Sequence, residues 1–200
     1  MKIYGDIFSG NCYKLKLACA ILSIPHEWVA IDILKRETLT ENFLSMNPAG
    51  KIPVLETEDG DYLTESNAIL YYLARDTHLW PSDKVAQTRV LQWQFFEQYS
   101  HEPNIAVARF IKLYLNMPEA RMAEYESKLK PGYQALGVME KALAKNNFLV
   151  GDSLSIADLS LYAYTHVAHE GGFDLANYPE INRWLKQIES MNAYVSMNEQ

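Results

Sequence analysis

The first 78 residues alternate between the two-residue period of a strand and the 3.6-residue period of a helix. Segments 2–8 and 27–33 are short and rich in β-branched and aromatic residues, which predicts two strands. Between them, segment 11–23 places apolar side chains at helical spacing, which predicts a helix. Next come a short helix over 37–46, two short strands around the Asp-Gly turn of EDGD, and a helix over 65–76. The predicted order is β-α-β-α-β-β-α, a mixed sheet covered by helices, which is the layout of a thioredoxin-like domain.

The second half of the chain has helical periodicity only. The predicted helices cover residues 85–100, 103–115, 124–145, 155–169 and 178–191. The stretch HLWPSDK before them contains a proline and has no periodicity, which is typical of a linker. We therefore predict an α/β domain over residues 1–78, a linker over 79–84 and an all-α helical bundle over 85–200.

Composition narrows the class of protein. The formal net charge is -7 and no basic cluster is present, which argues against a nucleic-acid-binding surface. No apolar run has the length of a membrane span, and the N-terminus lacks a signal-peptide layout, so we expect a cytoplasmic protein without membrane contact. On one helix Cys12 and Cys19 would be about 10 Å apart, too far for a disulfide. This cysteine usage fits a reducing compartment.

Small polar groups are concentrated where the first strand gives way to the first helix. The stretch SGNC holds a hydroxyl at Ser9, a carboxamide at Asn11 and a thiol at Cys12. Such a site often binds an anion or activates a nucleophile, although the same residues also cap helices. The local pattern leaves these alternatives open.

Two further loops carry groups suited to binding a peptide. Pro53 begins a strand, so a cis bond before it would turn the backbone of Ile52 outward, where a peptide could pair with it; an edge-strand proline without such a role is the alternative. Glu65 and Ser66 open a helix, with Ser66 as the predicted N-cap. Free N–H groups there bind a carboxylate and Glu65 an ammonium group, which suits the α-amino-acid end of a ligand, whereas simple capping is again the alternative.

Three further groups of residues are better explained by structural roles than by catalysis or metal binding. Ser155 and Asp158 have the spacing of a capping box, with Leu154 and Leu159 placed as a hydrophobic staple. The histidines lack a Cys or carboxylate cluster that would complete a metal site, so we expect none. An aromatic stripe at the start of the second domain predicts either core or the wall of an apolar pocket, and its members are Trp93, Phe95, Phe96 and Tyr99.

Together these motifs resemble a cytosolic glutathione transferase. S-x-N-C, NPAGKIPVL, ESNAI and SIAD occur in the family's order and spacing over nearly the whole chain, most similar to bacterial members related to the serine-type theta and delta classes. The resemblance implies that Pro53 is the cis proline, that Ile52 pairs with the cysteinyl backbone of glutathione, and that Glu65 and Ser66 hold its γ-glutamyl end. Further glutathione-binding candidates are Lys51, for the glycine carboxylate, and Asn67.

By the same resemblance Ser9 is the catalytic residue, whose hydroxyl donates to the glutathione thiolate. A thiol with a pKa of about 8.5 is mostly protonated at neutral pH. A charge-assisted hydrogen bond of about 1.5 to 3 kcal/mol lowers that pKa by roughly one to two units, and the helix N-terminus acts in the same direction. Asn11 could assist or replace Ser9. Cys12 could instead form a mixed disulfide, but a buried role is favoured.

The implied activity is transfer of glutathione to hydrophobic electrophiles, as in detoxification, by a homodimer with glutathione as co-substrate and no metal. The resemblance places the electrophile pocket near the first helix and near the helix that contains Pro103, which should be kinked there. Its candidate residues are Phe8, Tyr99, His101, Asn104 and Arg109. Two alternatives remain: glutathione-dependent disulfide or peroxide reduction involving Cys12, and a non-catalytic interaction module with the same fold.

Overall fold

The structure, a computed structural model describing residues 1–199, divides into two compact units. One unit comprises Met1–Trp80 and the C-terminal segment from Ala193, and the other comprises Pro81–Asn192. The division lies inside the predicted linker. The prediction was wrong for residues 193–199, which belong to the first unit because the Tyr13 hydroxyl donates to the carbonyl of Val195 at 2.8 Å and Lys16 donates to the carbonyls of Ser196, Met197 and Glu199.

The first unit is a four-stranded mixed sheet with three helices. The strands are β1 (Lys2–Gly5), β2 (Glu27–Ala30), β3 (Val54–Glu56) and β4 (Tyr62–Leu63). Their order is β2-β1-β3-β4, with β1 parallel to β2 and the other pairs antiparallel. The helices are α1 (Gly10–Ile21), α2 (Glu41–Met46) and α3 (Ser66–Ala74). This arrangement confirms the predicted thioredoxin-like fold.

Strand β1 is shorter than predicted because a turn begins at Asp6. The Asp6 carboxylate accepts the Phe8 N–H at 2.8 Å, and its carbonyl accepts the Ser9 N–H at 3.1 Å. At the end of the strand, a Cβ on Gly5 would lie 2.7 Å from the Cys12 sulfur, so only glycine allows α1 to approach this closely. The turn and the glycine together place Ser9 at the start of α1, directly beyond β1.

The second unit is helical, as predicted. It contains α4 (Lys84–Phe96), α5 (Glu102–Arg109), α6 (Met122–Leu143), α7 (Ile156–Thr165) and α8 (Pro179–Glu189). None of the helices in residues 1–199 combines the length and apolar character that crossing a membrane requires.

The segments predicted as separate helices over 85–100 and 103–115 are continuous in the structure. A π-helical segment, Glu97–His101, joins α4 to α5, and a second one, Phe110–Tyr114, follows α5. Pro103, in the first turn of α5, has no N–H to donate to the preceding turn. The helix therefore passes the proline with a local π-turn rather than ending.

The core of the second unit is centred on α7, every residue of which is buried. The predicted capping box is confirmed: one Asp158 carboxylate oxygen accepts both the N–H and the hydroxyl of Ser155 at 3.0 Å. Its other oxygen accepts the Leu149 N–H at 2.9 Å and the Trp184 indole N–H at 3.0 Å. Burial raises the pKa of Asp158 to about 6. One carboxylate thus ties α8 and a preceding loop to the start of α7.

Candidate functional site

Three chain segments meet at one end of the sheet in the first unit. The register Tyr4–Val54 places the start of β3 beside the end of β1, and the pair Leu55–Leu63 places the end of β4 there too. Helix α1 begins just beyond β1, the Ile52–Pro53 step lies just before β3, and Glu65 follows β4. The three motifs that the sequence singled out therefore lie at the same end of the sheet.

Ser9 is the N-cap of α1 but does not cap it with its side chain. Its backbone is extended, with φ -79° and ψ 121°, and the hydroxyl makes no capping hydrogen bond to a backbone N–H of the first turn. The residue is partly exposed, and the hydroxyl lies close enough to the Cys12 thiol to hydrogen-bond it. A hydroxyl at the positive end of a helix dipole can donate to an anion bound there.

Cys12 has the environment of a structural cysteine. Its side chain is fully buried, and burial raises the pKa of the thiol to about 12, against a smaller lowering by the Ser9 hydrogen bond. Cys12 and Cys19 are both free thiols. At neutral pH a thiol with this pKa is protonated, and a protonated, buried thiol is a poor nucleophile.

Two hydrogen bonds join the N-terminal half of α1 to the first turn of α3. The Ser66 hydroxyl donates to the Asn11 side-chain oxygen at 3.2 Å, and the Lys14 ammonium donates to the Asn67 side-chain oxygen at 3.3 Å. The prediction that Ser66 caps α3 was wrong, because Ser66 is the first helical residue and Glu65 is the N-cap. The bond to Asn11 brings Ser66 next to the turn of α1 that begins at Ser9.

Glu65 adopts a backbone conformation that is rare for a residue with a side chain. Its φ of 64° lies in the left-handed region, with ψ 109°, and its side chain makes no capping bond. Such a conformation costs about 1 to 3 kcal/mol and is concentrated at ligand-binding sites. The side chain is exposed, so its carboxylate is accessible to a cationic group.

The Ile52–Pro53 bond is cis, as predicted. The β1–β3 ladder ends at Tyr4–Val54, so Ile52 lies beyond the paired residues, at the rim of the sheet. Its side chain is half-buried against a cluster that includes Phe43. The preceding loop is held by a hydrogen bond of 2.7 Å from the Asn47 side chain to the carbonyl of Lys51, whose side chain is exposed.

The residues predicted for an electrophile pocket have different environments. Phe8, in the first unit, is 45% exposed, and Tyr99, in the second, is 89% exposed. Asn104 is partly buried and donates to the carbonyl of Ser100 at 2.7 Å. Phe8 and Tyr99 are thus accessible side chains, whereas Asn104 has a partner within its own helix.

His101 and Arg109 are held in the interior of the second unit. His101 is fully buried, and its Nε2 lies 2.9 Å from the Thr165 hydroxyl. Arg109 is 3% exposed, pairs with Glu170 at 2.5 Å and lies over the Tyr114 ring at 5.9 Å from its centre. The buried positions of His101 and Arg109 do not support the prediction that these two side chains line the electrophile pocket.

Sequence reasoning missed Lys14, which is fully buried despite its charge. The available signal was its spacing: Lys14 follows Asn11 by three residues and therefore lies on the same face of α1. Because Lys and Leu alternate over residues 14–17, the pattern did not indicate which lysine is buried. Within residues 1–199 no group of three or more His, Cys, Asp or Glu side chains is placed to hold a metal ion.

Comparisons with known proteins cover both halves of the chain. Residues 8–76 match the family model for the glutathione S-transferase N-terminal domain, and residues 104–192 match that for the C-terminal domain. A crystal structure of a glutathione S-transferase from Pseudomonas fluorescens Pf-5 is 58% identical with a TM-score of 0.97, covering 99% of this chain and 98% of that one. A maleylacetoacetate isomerase from Methylobacterium extorquens AM1, solved with bound malonate and glutathione, is 27% identical with a TM-score of 0.82, covering 96% and 94%.

Curated relatives extend this picture. Glutathione S-transferase theta-1 from Bos taurus is 30% identical over 209 residues, covering 95% of this chain and 82% of the bovine protein. Elongation factor 1-gamma 2 from Oryza sativa is 33% identical over 159 residues, covering 76% of this chain but only 37% of the rice protein. Both family models and the theta-class relative agree with the thioredoxin-like and helical units described above, and the chain belongs to the glutathione S-transferase family.

Proposed function

We propose that this protein is a glutathione transferase that activates the thiol of glutathione for attack on hydrophobic electrophiles. The observation that carries this proposal is the hydrogen bond from Ser66 to Asn11, which brings the start of α3 to the start of α1, where Ser9 presents its hydroxyl. The glutathione named in the bound structure of the isomerase relative supports the choice of ligand.

Each group has a role that its chemistry permits. Ser9 donates a hydrogen bond to the thiolate sulfur, assisted by the positive end of α1 and by Asn11. The Ile52 backbone, outside the β-ladder, pairs with the peptide backbone of the ligand. Glu65 accepts the ammonium group of the γ-glutamyl end, while Ser66 and the N-terminus of α3 contact its carboxylate, Asn67 adds a donor, and Lys51 attracts the glycine carboxylate.

The protein then holds a pre-ionised nucleophile beside a bound electrophile. The sulfur forms a bond to an electrophilic carbon, and either a leaving group departs with its electron pair or the adduct takes up a proton. Phe8, which is exposed and aromatic, is the better-supported candidate for contacting an apolar electrophile, since His101 and Arg109 are buried.

Replacing Ser9 with alanine tests the proposal. We expect kcat/KM for conjugation of an activated aryl halide to fall about 10- to 100-fold, because the hydrogen bond that stabilises the thiolate is lost. The pKa of bound glutathione, followed by thiolate ultraviolet absorbance, should rise by roughly one to two units. Ser45→Ala, which removes an exposed hydroxyl on α2, is the control and should change neither quantity. An unchanged thiolate titration in Ser9→Ala would transfer the role to Asn11.

The same assays separate the alternatives. A Cys12→Ala variant should retain conjugation, whereas disulfide reduction through Cys12 would be abolished by it; the burial and raised pKa of this thiol support the first outcome. Titration calorimetry without heat from reduced glutathione would reject the transferase and favour the non-catalytic module.

We further propose a cytoplasmic homodimer. Leu91, Phe95 and Tyr99 follow one another at four-residue spacing and are 40%, 71% and 89% exposed. Of the aromatic stripe predicted as core or pocket wall, Trp93 and Phe96 are partly buried, whereas Phe95 and Tyr99 are exposed. The exposed face supports burial against a second copy of the chain. The two free, buried thiols support a reducing compartment.

A further inference from the structure

Lys14 is a charged residue in a place where lysine is rarely found. Its side chain has no solvent exposure, and it lies on α1, three residues after Asn11 and five after Ser9. Moving an ammonium group out of water is costly unless hydrogen bonds compensate, so lysines are almost never fully buried without fixed partners. An apolar residue would fill the same position on α1 without that cost.

One hydrogen-bond partner of Lys14 belongs to the proposed glutathione site. Its ammonium group donates to the side-chain oxygen of Asn67 at 3.3 Å, and Asn67 is the second residue of α3, next to Ser66. A carboxamide whose oxygen is held by a cation has a fixed orientation, and its NH2 group points away from that cation. Polarisation by the charge also makes the NH2 group a stronger donor.

The charge of Lys14 acts at the first turn of α1 as well. It lowers the pKa of the Cys12 thiol, although less than burial raises it. The positive potential of Lys14 therefore extends to the turn that begins at Ser9, where the proposed ligand is anionic.

We propose that Lys14 is a positioning residue that orients and polarises Asn67 so that the Asn67 NH2 group donates to the carboxylate of the γ-glutamyl end of glutathione. The inference rests on the proposed function and deepens it. Lys14 does not touch the ligand; it acts through Asn67, and its effect is on binding of the γ-glutamyl end rather than on the reaction at sulfur.

A double-mutant cycle on the full-length protein tests this assignment. Lys14→Met and Asn67→Ala should each weaken glutathione binding about tenfold, as expected for loss of one charge-assisted hydrogen bond. The double variant should bind glutathione no more weakly than whichever single variant binds it more weakly. The reason is that Lys14 acts on the ligand only through Asn67, so the two losses should not add. The turnover number at saturating glutathione should stay within about twofold of wild type. Lys14→Arg, which retains a cationic donor, should recover most of the affinity.

Ligand and variant controls separate positioning from general damage. Cysteinylglycine lacks the γ-glutamyl group, so Lys14→Met should not weaken its binding. Lys16→Met removes the neighbouring lysine, which contacts carbonyls of the C-terminal segment, and should leave glutathione binding unchanged. Thermal unfolding of each variant reports whether the fold survives, and Asn67→Ala tests the proposal if Lys14→Met does not fold.

Three outcomes would overturn the proposal. The first is a loss of glutathione affinity in the double variant equal to the product of the two single losses. The others are equal losses of affinity for cysteinylglycine and glutathione in Lys14→Met, and wild-type glutathione affinity in Lys14→Met. In each of these cases the wild-type protein still binds glutathione, and only the role of Lys14 fails. If the wild-type protein itself binds no glutathione, the proposed function fails first.

Discussion

Buried titratable side chains in this protein have shifted pKa values that follow from where each one is packed. Burial raises the pKa of Asp158 to about 6, since its charged form loses solvation despite several hydrogen bonds. Burial lowers the pKa of His166 to about 4. The His166 ring stacks on Tyr162 with ring centres 4.7 Å apart, and its Nδ1 lies 2.9 Å from the Tyr162 carbonyl. Proton uptake by this ring is therefore coupled to folding.

The shifted pKa of His166 determines how the free energy of unfolding changes with pH. Between pH 6.5, the ordinary pKa of histidine, and the folded value near 4, the unfolded chain holds a proton on His166 and the folded chain does not. The free energy of unfolding contributed by His166 is therefore complete above pH 6.5 and decreases as the pH falls through this window. Asp158 contributes in the opposite direction between about 4 and 6, because its folded pKa is raised.

Replacing His166 with phenylalanine should therefore reduce acid sensitivity. The variant keeps the stacked ring, but phenylalanine cannot take up a proton. When the pH falls from 7 to 5, the free energy of unfolding of the wild-type protein should therefore decrease by about 2 kcal/mol more than that of the variant. Urea denaturation at both pH values measures this, and the contribution of Asp158, present in both proteins, cancels in the difference. Parallel pH profiles for the two proteins would contradict a His166 that is neutral in the folded state.

At the scale of elements, helix α7 shows which contacts the local sequence predicts and which it does not. The spacing of Ser155 and Asp158 predicted the capping box, and the structure confirms it. The two other donors to the same carboxylate, from Leu149 and Trp184, lie on other segments and have no signal in the local pattern. The carboxylate therefore joins two other segments to the helix that it caps.

An alanine at position 158 should destabilise the second unit strongly. The substitution leaves buried N–H groups of Leu149, Ser155 and Trp184 without acceptors, which should cost about 3 kcal/mol of unfolding free energy or more. Asp152→Ala removes an exposed carboxylate six residues earlier and should cost less than about 0.5 kcal/mol. Chemical denaturation compares the two variants, and similar losses would mean that Asp158 is merely a surface cap.

Helix boundaries and strand lengths were predicted less well than element types. Periodicity predicted two helices over 85–100 and 103–115, but a π-helical segment, Glu97–His101, joins them and the helix continues past Pro103. Strand β1 was predicted to extend to residue 8, but the side chain of Asp6 folds the backbone into a turn after Gly5. In both cases the hydrogen bonds available to the backbone, rather than the spacing of apolar residues, determine whether the element ends or continues.

For the whole molecule, the main difference from the sequence-based prediction is the distribution of exposed aromatic residues. Helical periodicity identifies Phe95 and Tyr99 as members of one face but does not show that this face is uncovered in the single chain. An exposed stripe of aromatic and aliphatic side chains is typical of a surface that meets another protein. The proposed homodimer accounts for it.

A charge in this stripe should disrupt self-association. Phe95→Asp should shift the molar mass measured by light scattering after size-exclusion chromatography from two copies of 22.9 kDa towards one, since a buried unpaired carboxylate opposes assembly. Val138→Asp, on α6 and 48% exposed, is a matched control and should remain dimeric. A monomeric wild-type protein, or a Phe95→Asp protein that stays dimeric, would contradict this use of the stripe.

The local pattern of residues was sufficient for the type and order of the main elements and for the capping box, because each depends on neighbours along the chain. The family was identified from several motifs taken together, and the cis proline followed from that resemblance. Contacts between distant segments were not accessible in that way. The bond between Ser66 and Asn11 spans 55 positions, and the one between Tyr13 and Val195 spans 182. The partner of buried Lys14, the interior positions of His101 and Arg109, and the return of residues 193–199 to the first unit all depend on how helices and strands pack in three dimensions. Periodicity identifies a buried face, but only tertiary packing determines what covers it.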